Sequence, residues 1–157
     1  MPATYTAEHV SANRKQIAVV WQPADAATAQ LVDLGQPQGA SALMLPIEEF
    51  THFTAQTCAS LLAGSGVTVF KIYCGTDAAG STPTVVVAHA VGTAPDAEGD
   101  SLFLECNAEQ IHEVLATATH VGVWLDCQHN DDETVVIFTC EHPTYARAGL
   151  TADYTAA

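Results

Sequence analysis

The chain has 157 residues, 48% of them apolar, and sets 18 acidic side chains against four basic ones, for a formal net charge of −14 at pH 7. That length suits one domain with a single core, and an evenly negative surface is repelled by phosphates and anionic headgroups, which argues against nucleic-acid and membrane-surface binding. No stretch has the length of a bilayer span or the features of a secretory leader, so the expectation is a soluble chain made in the cytoplasm.

Residues 1–16 lack an apolar period and read as an N-terminal arm, leaving 17–157 as one domain. "QIAVVWQ" is the first strand candidate, followed by a short apolar stretch at Leu31 to Leu34 and a Gly/Pro loop, "GQPQGAS". In "MLPIEEFTHFTAQTCASLLAGSG" the density of Thr and aromatics favours a strand over about Phe50 to Cys58, although Pro46 with Glu48 and Glu49 could open a helix. "VTVFKIYCG" is a β-branched and aromatic strand, "TDAAGSTP" a turn and "TVVVAHAV" the next strand. After the acidic loop "GTAPDAEGD", "SLFLEC" reads as a strand with Leu102, Leu104 and Cys106 on one face. The period then changes: Asn107 and Gln110 form a capping-box start, and Ile111, Val114, Leu115 and Ala118 share one face of a helix of about three turns. "HVGVWLDC" and "ETVVIFTC" follow as a hairpin around "QHNDD", Pro143 ends or bulges the second strand, and a last edge strand is expected around Ala148 to Tyr154. The sum is an all-β fold, an antiparallel β-sandwich of about seven or eight strands with one short inserted helix.

Two Cys-x-His pairs, Cys127/His129 and Cys140/His142, raise the question of zinc, because residues i and i+2 of a strand share a face. With a tight turn at 130–133, Cys140 stands roughly 13 Å along the ladder from Cys127 at ~3.3 Å per residue. That is too far for a shared ion or a disulfide, although a long loop in place of the tight hairpin would reopen both. The five cysteines are odd in number and include no CxxC, so they read as reduced, mostly buried thiols. His112-Glu113 lacks the second histidine of a helical zinc motif, and Ser65 in "GSG" lacks the setting of a nucleophile elbow. His89 reads as a strand histidine in preference to a general base. Asp96, Glu98 and Asp100 fall short of a calcium-loop ligand set. No catalytic, cofactor or metal site is expected.

From about Ala55 to Leu150 the order "GSGVTVFKIYCGTDAAGSTPTVVVAHAVG", an acidic loop, "SLFLECNAEQIHEVL", "THVGVWLDCQHNDDETVVIFTC" and a terminal Arg resembles the small β-sandwich virion proteins of tailed bacteriophages, especially the head decoration or cement type. The resemblance implies a non-enzymatic structural protein, made in the host cytoplasm and carried on the outer capsid surface. It would act, often as a trimer, by binding the major capsid protein and clamping neighbouring subunits. Many weak copies would then add up through lattice repetition. The expected gripping residues are Arg14 and Lys15 in the arm and Tyr145, Arg147 and Tyr154 near the C-terminus. The same sandwich recurs in tail and head-tail components. Two other classes stand beside it: a β-sandwich ligand- or glycan-binding module, for which Trp21 and Trp124 are the aromatic candidates and Trp124 is expected to face outward, and a small metal-dependent enzyme, which the register argument disfavours.

Overall fold

The computed structural model describes residues 6–11, 14–21, 30–32, 34, 44–61, 63, 67–89, 97–127, 129 and 131–144. Among them are ten strands and one helix: β1 Thr6–Ser11, β2 Arg14–Trp21, β3 Gln30–Leu31, β4 Leu45–Pro46, β5 Phe50–Leu61, β6 Val67–Gly75, β7 Thr84–Ala88, β8 Ser101–Asn107, α1 Ala108–Val114, β9 His120–Cys127 and β10 Glu133–Pro143. The first sheet runs β1-β2-β10-β5-β8; the second runs β3-β9-β6-β7, with β4 also paired to β9. All pairings are antiparallel.

Alternation explains the layers. In β5, Phe53, Ala55, Thr57 and Ala59 are buried while Thr51, Gln56 and Ser60 are exposed, and β10 buries Thr134, Val136, Phe138 and Cys140 in the same rhythm. Their inner faces meet those of β6 and β9, where Phe70, Ile72, Val121, Val123 and Leu125 are sealed from solvent. Phe53 and Phe138 stack with ring centroids 6.3 Å apart inside this core. The result is an antiparallel β-sandwich, as the period-two runs imply.

The capping box at Asn107 and Gln110 forms as read: the Asn107 side chain accepts from the Gln110 N–H at 2.8 Å, and Gln110 accepts in return from the Asn107 N–H at 2.9 Å. The helix is shorter than expected, because Leu115 adopts an extended backbone and closes it at Val114. Ile111 plugs the core and Ala118 is buried, whereas Val114 points out to solvent.

Two other expectations change. The stretch read as an arm, 1–16, contains β1 and the start of β2, which are hydrogen-bonded into the first sheet. Their polar composition hid them, since an edge strand needs only one apolar face. The expected β9–β10 hairpin does not form: β9 lies in the second sheet and β10 in the first. The connection crosses the sandwich and is held by buried Asp132, whose carboxylate accepts from the N–H of Ala63 at 2.7 Å and of His129 at 3.1 Å. The edge strand expected at 148–154 lies outside the described residues.

Candidate interaction faces

The outer face of the first sheet is built from alternate residues of β2, β10, β5 and β8, and their register sets them in rows. Val20, Val135, Cys58 and Ser101 make one row; Ala18, Ile137, Gln56 and Phe103 make the next. Val20, Val135, Cys58, Ala18 and Ile137 are half-buried, and Phe103 is 57% exposed. One half of this face is thus mainly apolar, with exposed Gln56 and Ser101 set among the apolar side chains. A phenyl ring that far out of the core loses the burial that normally stabilises it. Carboxylates stand around it: Glu105 on β8, Glu133 on β10, where it accepts from the Ser60 hydroxyl at 2.9 Å, and exposed Glu98 and Asp100 in the turn before β8.

The other half of the face is polar. Arg14, Glu141, His52 and Asn107 form its last row. Arg14 Nε lies 3.4 Å from Glu141 Oε1, and His52 Nε2 lies 3.8 Å from Glu105 Oε2. His142 joins them by an irregular route. In a regular strand it would share the inner face with Cys140, but its φ is +55°, the only positive value among described non-glycine residues. Thr51 Oγ1 donates to its carbonyl at 3.0 Å. That local turn re-aims the ring to stand edge-on to His52, centroid to centroid 5.8 Å.

These positions correct the reading of the Cys-x-His pairs. Cys140 is buried in the core and His142 is exposed, so the second pair is not a two-ligand unit. Cys140 is also seven residues into β10 from Glu133, roughly 23 Å at ~3.3 Å per residue, while Cys127 ends β9 on the far side of the connection. The ladder distance inferred from a hairpin does not apply, and the sheet crossing separates the pairs instead. Among the described residues, no three His, Cys, Asp or Glu side chains form a group that could hold a metal ion. The inward thiols are held protonated: burial, reinforced by Cys74 and Glu105, pushes Cys106 up to about 12, and burial, opposed by Lys15, pushes Cys140 up to about 12.

The expected gripping residues divide. Arg14 lies on the outer face described above, whereas Lys15 pairs across the sheet with inward-facing Cys140 and is half-buried. Tyr145, Arg147 and Tyr154 lie outside the described residues, as do Ser65, Asp96 and the side chains of Trp21 and Cys127. His112 is exposed on the last turn of α1, and the His89 N–H donates to the Phe70 carbonyl at 3.2 Å. Asp100 is used locally, its carboxylate accepting from the Ala97 N–H at 3.2 Å. A shallow, mainly apolar cleft of about 320 Å³ opens between β5 and α1, lined by Ile47, Phe50, Ala108 and His112 among others.

The second sheet carries an aromatic pair on its outer face. Trp124, half-buried, tilts at 32° against Tyr73 with centroids 5.0 Å apart, beside exposed Val85 and the Lys71 opposite Trp124. Burial raises the Tyr73 hydroxyl above its ordinary range. Neither the apolar half-face nor this pair follows from local sequence, because each depends on pairings between distant strands.

The sequence matches no family model and no curated relative. A solved structure described as "Bacillus endospore appendages form a novel family of disulfide-linked pili" is similar at 15% identity, with a TM-score of 0.44, over 89% of this chain and 91% of that one. No described helix is long and apolar enough to cross a membrane.

Proposed function

We propose that this chain is a non-enzymatic structural protein that docks on a larger protein assembly through the outer face of its first sheet. The observation that carries the reading is the half-face of Phe103, Ile137, Val135, Val20 and Ala18, mainly apolar despite the Gln56 between Ile137 and Phe103, and flanked by carboxylates. A partner that fits it offers an apolar contact with a basic rim, since opposite charge steers and orients while the buried aromatic supplies most of the affinity. The resemblance to phage decoration proteins supplies the specific form: a cement protein on the outside of a phage head, acting on the major capsid protein, as a trimer in the family's usual manner. Arg14, on the same face, would belong to the rim.

Quantitative peptide mass spectrometry of density-banded particles from the source culture tests this. A copy number comparable to the shell protein is expected; a handful of copies would move the chain to the tail or head-tail connector, and absence from clean particles would overturn the virion reading. In the same particles Phe103→Ser should lower incorporation by more than about tenfold, as expected for an exposed aromatic anchor.

The Tyr73–Trp124 pair favours one second reading, a glycan-binding module, because adjoining aromatics on a sheet face offer sugar rings an apolar surface. A glycan array separates the two: a defined sugar bound by the wild type and lost in Trp124→Ala would put this reading first.

A further inference from the structure

We infer that the outer edge of β8 takes up an extended segment of the partner protein, apolar and basic in its side chains, as an added strand of the five-stranded first sheet. The inference deepens the docking role and rests on that reading for the partner's being a protein. Among the described residues β8 ends its sheet and pairs only with β5. The direction of its backbone groups follows from its two ends. The Asp100 carbonyl accepts from the Ala59 N–H at 3.0 Å, and the Asn107 N–H leaves the ladder to donate to Gln110 Oε1 at 2.9 Å. Antiparallel pairs alternate between bonded and non-bonded. Leu102, Leu104 and Cys106 therefore bond to β5, while Ser101, Phe103 and Glu105 turn their N–H and C=O groups away from it.

Three features mark this edge as a receiving one. It is unguarded: β8 runs seven residues in unbroken register with β5, without proline, lysine or arginine, whereas edges are ordinarily blunted by those residues, by bulges or by short length. By contrast β7, an edge of the second sheet, is five residues long and broken by a register shift. The seam beside β8 is also incompletely sealed. Leu102 on its inner side, with Val86 and Val87 of neighbouring β7, packs against the core yet stays half-buried, so the inward side chains of an added strand would cover apolar surface. Lastly, Phe103 is 57% exposed between carboxylates, with Glu98 and Asp100 before it and Glu105 after it, all exposed. An added strand sets a side chain beside each outward residue of β8 on the same face. The complementary segment thus carries an apolar residue beside Phe103 and lysine or arginine beside the acidic ends. A second copy of this chain fits poorly, because each carries −14.

A fluorescent peptide with the core Lys-Val-Leu-Val-Lys, titrated with the full-length chain and followed by anisotropy and by residue-resolved amide exchange, tests the inference. Saturable binding is expected, with exchange slowed at Ser101, Phe103 and Glu105. The same peptide N-methylated at its lysines and leucine keeps its charge and loses the donors aimed at β8, so it should bind more than roughly tenfold more weakly. Glu105→Pro should weaken binding of the unmodified peptide by a similar factor, and by more than Glu105→Gln, which removes the charge alone; the lost N–H faces away from β5, where an edge proline is tolerated. The two peptides compared on the wild-type chain do not depend on that variant's fold. Absence of saturable binding, equal binding of the methylated peptide, or protection away from β8 overturns the inference. Protection of β8 that grows with chain concentration without peptide overturns it too, by giving the edge to a second copy. Docking and strand addition fail separately: stripped particles that rebind Glu105→Pro as well as the wild type would keep docking and sink the edge, whereas particles that rebind neither, with the peptide bound at β8, would keep the edge and sink docking on the particle.

Discussion

Thr57 and Thr134 are diagonal neighbours on the inner face of the first sheet, each fully buried, and neither hydroxyl has a hydrogen-bond partner. An unpaired buried hydroxyl costs about 1–3 kcal/mol of desolvation, and valine has nearly the same shape without the polar atom. Thr57→Val should therefore raise the unfolding free energy by about 1 kcal/mol, read as a higher urea midpoint at unchanged slope. The buried thiols act on stability through pH. Cys106 and Cys140 hold their protons up to about 12 in the fold, against an ordinary value of 9.0. Between those values the unfolded chain releases protons that the folded chain keeps, so stability is full below about pH 9 and falls as pH rises toward 12. Cys140→Ala should flatten that alkaline loss in urea titrations stepped from pH 8.5 to 11. At pH 8 a maleimide should modify half-buried Cys58 ahead of Cys106 and Cys140.

At the level of elements, what the sequence made legible and what it hid have the same cause. Alternation marked β5, β6, β8, β9 and β10, and the Asn107–Gln110 pair marked the start of α1, because each of those signals is local. Pairing is not local. A strand with one buried face satisfies its pattern equally in a hairpin or in a crossing between sheets, so the run from His120 to Pro143 could not distinguish the two. The crossing is tied by Asp132, whose carboxylate accepts from the Ala63 and His129 N–H groups. Asp132→Ala should cost about 1–3 kcal/mol, since it leaves the Ala63 N–H, half-shielded beside it, without its acceptor. Asn107→Ala, removing the cap, should cost about 1 kcal/mol. Both are measured by equilibrium denaturation, and an Asp132→Ala value near zero would show that the connection is set by packing instead. The Phe103 half-face and the His52–His142 pair were hidden for the same reason: each joins residues brought side by side only by long-range register, and the second also needs an inverted φ at His142 that no sequence pattern announces.

For the whole molecule the decisive quantity is charge, 18 acidic groups against four basic ones. Two associations proposed for this chain respond to it with opposite sign. Copies of the chain repel one another, each carrying −14, so self-association into a trimer should strengthen as salt screens the repulsion; the Debye length shrinks from about 10 Å at 0.1 M to about 3 Å at 1 M. Docking of the carboxylate-flanked half-face on a basic-rimmed shell should weaken over the same range, mainly through slower association. Sedimentation velocity of the purified chain and rebinding of that chain to stripped particles, each taken from 0.05 to 1 M NaCl, should therefore run in opposite directions. Phe103→Ser should lower the rebinding curve at every salt concentration, because it removes apolar contact and no charge. If rebinding instead strengthens with salt alongside self-association, the partner surface lacks the basic rim and the interface is apolar throughout.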